Sequence, residues 1–313
     1  MNLIFLTYIN RSGSTYLANL FSKSKNILVC PEAEVIMNEF LILPEKKFEY
    51  NQKISKRLHG FFNYDRKLKY WGLTLSALSE LNIAKTNFEA FFYILDAYRK
   101  KVKPEAHTII FKAESLIYLY ENIPLRFKEE YNLKLIAIIR DCRGVYASQK
   151  RTYFPGSNFI MSRNPVRTAL FWNEFVTKAH QLEVRDKFLL IRYEDLIDNL
   201  KKTIEVIIKY LKIKPFDYIS GEGELWARLP EDQRSIHQNI VKNCIRQKIS
   251  HWQKELNKYE IFNIEKFAGS GLKRMEYKAI SDSDMTNKNL FRITYYLFLY
   301  YLRKVYKRII HSL

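Results

Sequence analysis

The sequence predicts an α/β fold with three layers, in which a mostly parallel central sheet is flanked by helices. Short apolar segments of strand length recur along the chain, and longer segments with helical spacing lie between them. Strands that alternate with helices indicate βαβ units, which place ligands at the carboxyl ends of the strands. With 313 residues, of which 47% are hydrophobic, the chain is long enough to bury a large core around one sheet.

The predicted strands are residues 3–8, 27–30, 108–112, 134–140 and 188–193. The helical spacing is clearest in residues 88–101, 165–185 and 196–211. Residues 33–106 interrupt the alternation, are rich in Lys, Asn, Phe and Tyr, and are predicted to form a helical insertion. This insertion either shapes an acceptor pocket or covers the sheet with solvated helices. We expect residues 1–288 to form one domain.

The chain is strongly basic, because 52 Lys and Arg outnumber 33 Asp and Glu and give a net charge of +19. The partner is therefore expected to be anionic: a phosphorylated cofactor, an acidic glycan, a membrane surface or nucleic acid. With 9 Gly and 8 Pro, the composition excludes collagen-like and low-complexity proteins.

The cysteines and the amino-terminal residues predict the cellular compartment of the protein. The widely spaced Cys30, Cys142 and Cys244 form no CxxC pair, so neither a disulfide framework nor a zinc site is indicated. The first apolar run is short and leads into a turn rather than a cleavage site, which speaks against an export signal. We expect a cytoplasmic protein.

The last segment, residues 289–313, contains seven Phe or Tyr, five Lys or Arg and no acid. Its uncharged centre, residues 293–302, is too short to span a bilayer, which takes about 20 residues. A basic aromatic helix is predicted here. It either lies on a membrane surface, which would make the protein peripheral, or packs on the domain or on a second subunit.

The first strand leads into residues 9–17, INRSGSTYL, after which the apolar spacing becomes helical. A strand, a tight turn with Gly and hydroxyl residues, and a helix start direct backbone N–H groups at one point, as in a P-loop. The GxxxxGK[ST] motif of nucleoside triphosphatases is absent, since Ser14 stands at the position of its Lys. The cation is Arg11 instead, which favours another anion over a magnesium-bound triphosphate.

Two further strands end in polar motifs. Strand 134–139 leads into RDCRGVYAS, so that Arg140 leaves the strand end and Ser148 follows on the next helix. An arginine and a hydroxyl in this arrangement favour a second phosphate site. Strand 188–191 leads into RYEDL, which contains Tyr193 and begins a helix with two acids in its first turn.

These motifs resemble those of the sulfotransferases that use 3′-phosphoadenosine 5′-phosphosulfate (PAPS). YINRSGSTYL looks like their 5′-phosphosulfate loop, IRDCRGVYAS like their 3′-phosphate motif, and RYEDL is similar to a later family element. The Arg-Ser-Gly pattern is closest to carbohydrate and tyrosylprotein sulfotransferases. The resemblance covers residues 1–32 and 134–270 and implies the P-loop-like fold of that family.

The resemblance also implies roles for individual residues. The residues assigned to PAPS and its product PAP are Arg11, Ser12, Gly13, Ser14, Thr15, Tyr16, Arg140, Ser148, Tyr193 and Lys242. Catalytic roles fall to Arg11, to Glu32 as the base at the end of the second strand, and to Ser235 in a carboxyl-terminal loop. Glu34 and His237 are alternative bases. No metal is implied, because positive side chains and N–H groups meet the negative charge.

The favoured hypothesis is sulfuryl transfer from PAPS to a hydroxyl of a glycan or glycolipid. A peptide tyrosine or a small metabolite is an alternative acceptor. Alternative functions are a P-loop kinase, which the missing Lys disfavours, and a non-catalytic module that binds polyanions or membranes. That module would show steeply salt-dependent binding without a preference for 3′-phosphorylated adenosine. Specific nucleic-acid binding is not expected.

Overall fold

The computed structural model describes residues 1–184, 188–219, 223–236 and 249–281, together with residues 298 and 302. Two units are distinguished within the chain. The first comprises Met1–Ile139 and Leu182–Ile245, and the second comprises Arg140–Gln181 and Arg246–Leu313. The single-domain boundary at residue 288 stays a prediction.

The first unit contains a parallel sheet. Its strands are Asn2–Tyr8 (β1), Ile27–Val29 (β2), Thr108–Lys112 (β3), Lys134–Ile139 (β4) and Phe188–Arg192 (β5). They lie in the order β2-β3-β1-β4-β5, and every neighbouring pair is parallel. The predicted strands and their parallel arrangement are confirmed. Because the strands run in one direction, the segments that follow β1, β2 and β3 leave from the same edge of the sheet.

Helices form much of the chain between and after the strands. They are Ser14–Ser22 (α1), Glu34–Phe40 (α2), Gln52–Tyr64 (α3), Asn87–Val102 (α4), Leu116–Leu119 (α5), Leu125–Glu130 (α6), Cys142–Lys150 (α7), Pro165–Glu183 (α8), Tyr193–Asp198 (α9), Leu200–Leu211 (α10), Glu224–Arg228 (α11), Glu231–Ile236 (α12), Trp252–Glu255 (α13) and Lys258–Arg274 (α14). The 3₁₀ segments are Leu68–Trp71, Leu75–Ile83 and Tyr120–Asn122.

Both faces of the sheet are covered by helices. On one face, alternate β1 side chains such as Ile4 and Leu6 join a core cluster with residues of α1, α9, α10 and α11. On the other face, Phe91 of α4 makes edge-to-face contacts with Phe5 and Phe111, with ring centroids 6.2 and 5.1 Å apart. Because side chains alternate between the faces of a strand, an uninterrupted apolar run in β1 supplies both cores. The predicted three-layer α/β class is confirmed.

The predicted helical insertion is also observed, since residues 33–106 contain α2, α3, α4 and two of the 3₁₀ segments. Helix α4 begins where the side chain of Thr86 accepts a hydrogen bond from the Glu89 N–H at 3.2 Å. Ten residues of α4 are buried, including Phe88, Phe91 and Leu95. This burial means that the insertion contributes to the core of the first unit.

One predicted helix is wrong in its extent. Residues 196–211 were expected to be continuous, but the structure divides them between α9 and α10 at Asn199, whose φ of −129° and ψ of 49° are not helical. The Thr203 hydroxyl donates to the Asp195 carbonyl at 3.0 Å and stabilises the bend. The apolar spacing gives no sign of this break, because a polar Asn suits a helix surface and a bend equally well.

The second unit contains α7, α13 and α14, and most of α8. Its centre is a buried ionic cluster in which Arg143 pairs with Asp141 at 2.6 Å and with Glu265 at 2.5 Å. The Arg143 guanidinium also lies 4.1 Å from the ring centroid of Trp252. Nearby, a Cβ on Gly271 of α14 would lie 2.6 Å from Trp172 of α8, so glycine is needed for this close approach.

Removal of the Phe91 ring tests the packing of α4 on the sheet. Phe91 is fully buried, so we expect Phe91→Ala to lower the free energy of unfolding by about 4 kcal/mol. The control is Tyr64→Ala, because Tyr64 is 80% exposed and should change the same quantity by less than about 0.5 kcal/mol. Urea unfolding followed by circular dichroism measures both. Equal effects would contradict the observed packing.

Candidate active site

The loop between β1 and α1 has an unusual backbone. Arg11 has a φ of +78° and Gly13 a φ of +87°, and the Ser12 N–H donates to the Ile9 carbonyl at 3.0 Å, which closes a tight turn. Helix α1 then begins at Ser14 with Gly13 at its N-cap, without a side-chain cap and without an acid in its first turn. The positive end of the helix dipole therefore meets no carboxylate from its own first turn, which suits a bound anion.

Ser12 provides the clearest sign that this loop binds a ligand. Its side chain is fully buried, and Oγ has no hydrogen-bond partner among the described residues. Ser14 and Thr15 are also buried in the same turn. A buried hydroxyl without a partner is costly unless something else satisfies it. The residues of the loop thus fit the 5′-phosphosulfate end of PAPS, which carries several acceptor oxygens.

Tyr193, assigned to the cofactor site by sequence, lies against the loop. A Cβ built on Gly13 would be 2.3 Å from Cδ2 of the Tyr193 ring. The ring follows β5 at the start of α9 and is buried. Together with the positive φ, this contact requires glycine at position 13. Tyr193 therefore supports the backbone of the loop from a neighbouring part of the sheet.

The candidate base, Glu32, follows β2 and lies in a partly buried network of charges. Its Oε1 accepts a hydrogen bond from Lys112 Nζ at 2.8 Å and another from the Tyr8 hydroxyl. Its Oε2 accepts from Lys67 Nζ at 2.6 Å. Lys67 also donates to the two carboxylate oxygens of Glu34, at 2.8 and 3.0 Å. The two carboxylates that the sequence left as alternative bases are thus linked by one lysine.

This network connects directly to the loop, because Lys112 Nζ also donates to Thr15 Oγ1 at 3.3 Å. The ammonium group lies 5.1 Å from the centroid of the Tyr8 ring. Lys112 is the last residue of β3 and is only 2% exposed. A buried cation therefore lies between the helix start and the carboxylate, at the edge of the sheet where ligands bind in α/β folds.

The electrostatics fix the protonation states in this network. Burial raises the pKa of Glu32, but the charges of Lys112 and Lys67 outweigh it and hold the pKa well below its usual value. Burial and the adjacent Glu32 raise the pKa of the Tyr8 hydroxyl well above its usual value. Glu32 is therefore ionised and Tyr8 is protonated at neutral pH, so both lysines and the tyrosine donate to one carboxylate.

Sequence reasoning missed Lys112, Lys67 and Tyr8. Lys112 left one signal, a single lysine at the end of an apolar strand. Its importance depends on β3 pairing with β1, and strand order is not encoded in a local pattern. Lys67 belongs to the insertion, where the sequence shows no recognisable motif. Tyr8 is indistinguishable in sequence from an ordinary apolar strand residue.

Arg140 and Ser148 belong to the second unit. The Arg140 carbonyl accepts a hydrogen bond from Trp172 Nε1 at 2.8 Å. A Cβ on Gly144 would lie 2.9 Å from Arg140 Nε, so this glycine makes room for the guanidinium beside α7. Ser148 is buried on the same helix. Their assignment to the 3′-phosphate stays a prediction from the sequence motif.

Several assigned positions cannot be placed. Lys242 and His237 lie outside the described residues. Ser235 is in α12, but its side chain also lies outside the described part of the structure. Of the predicted carboxyl-terminal helix, residues 298 and 302 are described as helical, and their side chains are more than half exposed.

Clusters of metal ligands and membrane-spanning helices are both absent from the described residues. In residues 1–184, 188–219, 223–236 and 249–281, no group of His, Cys, Asp and Glu is arranged to hold a metal ion. Across the part of the chain that the structure describes, no helix combines the length and apolarity needed to cross a bilayer.

A known protein family shares the sequence pattern of this fold. A family model described as "Sulfotransferase family" matches residues 4–218, which include the loop, Glu32, Lys112 and Arg140. The chain belongs to the sulfotransferase family. It is therefore an enzyme that transfers a sulfuryl group, as the resemblance implied. No curated protein matched the chain.

Solved structures of sulfotransferases share the fold. The sulfotransferase domain from the curacin biosynthetic pathway is 16% identical, with a TM-score of 0.56 over 89% of this chain and 99% of that one. The sulfotransferase domain of the olefin synthase from Synechococcus PCC 7002 is 17% identical, with a TM-score of 0.52 over 85% of this chain and 94% of that one. At this identity the similarity concerns the architecture.

Replacement of Gly13 tests the packing of the loop. In Gly13→Ala the new methyl group would overlap the Tyr193 ring and force a positive φ, so we expect a lower thermal midpoint and at least a tenfold loss of PAP affinity. The matched control is Gly60→Ala in α3, where nothing lies within 4 Å of the new Cβ. In Gly60→Ala we expect the free energy of unfolding to rise by about 0.5–1 kcal/mol, because alanine favours the helix more than glycine does. Calorimetry measures both quantities, and unchanged binding in Gly13→Ala would contradict this geometry.

The ion pair of Glu32 with Lys112 predicts a pH-dependent stability. Lys112→Met leaves the Glu32 carboxylate without its more deeply buried cation, so we expect the free energy of unfolding to fall by about 3 kcal/mol at pH 7. The pKa of Glu32 is lowered in the folded protein, so its contribution is complete above its ordinary value of 4.5 and is lost as the pH falls through the folded value. The difference between variant and native protein should therefore shrink below about pH 4.5.

Urea unfolding at pH 7, 5 and 4 checks this prediction. The matched control is Lys47→Met, since Lys47 pairs with Glu49 on the surface, where both side chains are mostly exposed. The control should unfold like the native protein at every pH. A loss in Lys112→Met that does not depend on pH would show that the carboxylate is not the partner that matters.

Proposed function

We propose that this enzyme transfers the sulfuryl group of PAPS to an acceptor hydroxyl and releases PAP. The observation that carries the proposal is the buried Ser12 hydroxyl, which has no hydrogen-bond partner within the part of the chain that the structure describes. It lies in a loop at a helix start, and the helix start contacts a buried lysine that binds a carboxylate. An anion at the loop would satisfy Ser12 and the helix dipole together. The Glu32 carboxylate beside it can accept a proton from a hydroxyl.

The residues Arg11 to Tyr16 would hold the 5′-phosphosulfate. Bound PAPS supplies the sulfuryl group and a phosphate leaving group. Arg11 donates charge-assisted hydrogen bonds at the start of the loop, and the N–H groups at the α1 start add fixed positive dipoles. The Tyr193 ring prevents the loop from relaxing around Gly13. The chain therefore positions the anion with groups that need little reorganisation.

Lys112 would stabilise negative charge during transfer. Sulfuryl transfer resembles phosphoryl transfer, which is catalysed mainly by positioning and by cations that meet developing charge. Lys112 is held between Thr15 and Glu32, so its ammonium group is fixed beside the loop. Because it is buried, its charge acts at a lower effective dielectric than a surface lysine would.

Glu32 would accept the proton of the acceptor hydroxyl. Its low pKa ensures that it is ionised, although the same shift makes it a weak base. A loose transition state tolerates a weak base, because bond formation to the nucleophile and loss of its proton come late. The two lysines also prevent repulsion between Glu32 and the incoming anionic donor.

The 3′-phosphate would distinguish PAPS from ATP. By the sequence motif, Arg140 and Ser148 bind this group, and an arginine fork with a hydroxyl is a sound way to recognise a phosphate. The same family resemblance assigns Ser235 to catalysis and Lys242 to the cofactor. The loop itself lacks the Lys of a P-loop kinase, since Ser14 occupies that position.

The acceptor we propose is a hydroxyl of a glycan or glycolipid. The support is the net charge of +19, which suits an acidic glycan or an anionic lipid surface, and the Arg-Ser-Gly pattern of the loop. The basic aromatic segment 289–313 would bring the enzyme to a membrane surface in the cytoplasm. A peptide tyrosine and a small metabolite are the alternative acceptors.

Titration with PAP tests the proposed cofactor. We expect the native protein to bind PAP at least 100-fold more tightly than 5′-AMP, and Arg140→Ala to lose most of that preference because the 3′-phosphate loses its arginine. Isothermal titration calorimetry with PAP, 5′-AMP and ATP measures it. Arg163→Ala is the control, since this exposed arginine lies in the same unit and outside the motif.

Equal or absent binding of the three nucleotides would contradict the use of PAPS. Binding that depends on salt but not on the 3′-phosphate would instead support the polyanion-binding module. With PAP binding established, release of PAP from PAPS in a screen of glycans, glycolipids, tyrosine peptides and phenols identifies the acceptor class.

A further inference from the structure

Among the described residues, three side chains donate hydrogen bonds to Glu32, and they differ in how easily each can move away. Tyr8 and Lys112 both bind Oε1, and both are buried within the sheet layer. Lys67 binds Oε2 alone. Its side chain is 23% exposed, against 2% for Lys112. The Oε2 side of the carboxylate is therefore closed by the one of these three donors that reaches solvent.

Lys67 has a second partner available. Its Nζ also contacts both oxygens of Glu34, whose side chain is 43% exposed. If Nζ moves away from Glu32, it keeps an ion pair with Glu34 near solvent, so the free-energy cost of desolvation is small. Lys112 differs, because its ammonium group is buried and bound to Thr15 and Glu32. If it moved away, the Glu32 carboxylate would lose its buried cation.

The backbone before α4 places Lys67 for this task. Lys67 follows α3 in the insertion, and the Asp65 carboxylate accepts the N–H groups of Lys67 and Leu68 at 3.0 and 2.8 Å. Leu68 is fully buried, so the start of the 3₁₀ segment is anchored while the long Lys67 side chain extends from it. A fixed backbone with a flexible cationic side chain suits a group that moves between two carboxylates.

We propose that Lys67 is a movable positioning residue that covers Glu32 Oε2 in the absence of acceptor and moves onto Glu34 when an acceptor hydroxyl binds. The proposal rests on the proposed function, in which Glu32 is the base. The acceptor hydroxyl takes the place of Nζ at Oε2 and gives its proton to that oxygen. Its oxygen forms the new bond to sulfur, the bond from sulfur to the 5′-phosphate oxygen breaks, and PAP leaves.

The covered state has a chemical purpose. A water molecule at Oε2 would be activated in the same way as an acceptor hydroxyl and would hydrolyse PAPS to sulfate and PAP. Lys67 occupies this position and cannot accept a proton, so it protects the donor until an acceptor displaces it. Because Lys67 belongs to the insertion, this part of the chain would control both access to the base and its proton affinity.

Hydrolysis of PAPS in the absence of any acceptor tests the proposal. We expect Lys67→Met to release PAP from PAPS at least fivefold faster than the native protein, because Oε2 is open to water. Glu34→Gln should release PAP no faster than the native protein, because Lys67 then has only Glu32 as a charged partner. Lys69→Met is the matched control, since this exposed lysine lies two residues away and should leave the rate unchanged.

A second readout uses the free protein. Among the described residues, Tyr8, Lys112 and Lys67 contact Glu32, and Glu34 binds the same Lys67. Of these groups only Lys67 is replaced in Lys67→Met. Carbon-13 NMR titration of glutamate carboxylates, with Glu32→Gln for assignment, should show a higher pKa for Glu32 in Lys67→Met than in the native protein. Lys69→Met should leave the pKa of Glu32 in place.

The outcomes separate this proposal from the proposed function. PAP titration of each variant comes first, and native-like affinity in Lys67→Met shows that the cofactor site is intact. Failure of the native protein to bind PAP overturns the proposed function. Intact PAP binding with an unchanged rate of hydrolysis and an unchanged pKa of Glu32 in Lys67→Met overturns the role of Lys67. Faster hydrolysis in Glu34→Gln would also overturn it.

Discussion

The ion pair between Lys112 and Glu32 joins three strand ends into one site. Lys112 ends β3, Glu32 follows β2, and the Thr15 hydroxyl that Lys112 also contacts belongs to the helix after β1. Neither charge could be buried there alone, since an isolated ion in a protein interior is costly and each charge makes the other tolerable. The parallel order β2-β3-β1 is what brings them together. Thr15 of the helix start and Lys67 of the insertion both contact a member of this pair, which links the loop and the insertion to the proposed base.

Arg140, which precedes α7, and Arg143, which lies in its first turn, show how similar residues in one motif take different roles. Arg143 is enclosed by Asp141 and Glu265, and Glu265 also accepts the N–H groups of Ile280 and Ser281 at 3.0 and 2.8 Å. These contacts use its charge to hold α7, α14 and the following segment within the second unit. Arg140 instead lies over Gly144 at the start of α7. The charge of Arg143 therefore stabilises the fold of the second unit. From the motif alone, Arg143 could equally be interpreted as a second anion-binding arginine.

The sequence predicted the fold well where the signal was local. Apolar runs located the strands, and the turn before Ser14 identified the loop, because both depend on residues that are adjacent in the chain. The bend at Asn199 was missed, since its cause is a backbone conformation that the apolar spacing does not report. Lys112 and Lys67 were missed for another reason. Their role depends on contacts with Glu32 across 80 and 35 residues, and such contacts follow from strand order and from the path of the insertion.

The link between the insertion and Glu32 has an evolutionary consequence. Residues 33–106 form the part of the first unit for which the sequence shows no familiar pattern, and they supply a cation to a carboxylate of the central sheet. If Glu32 is the base, as proposed, a change in the structure of this segment also changes the charge around the base. A different insertion would place a different charge beside Glu32 and so change the pKa of that carboxylate. In related enzymes with different insertions, acceptor preference and the pH dependence of activity would then change together.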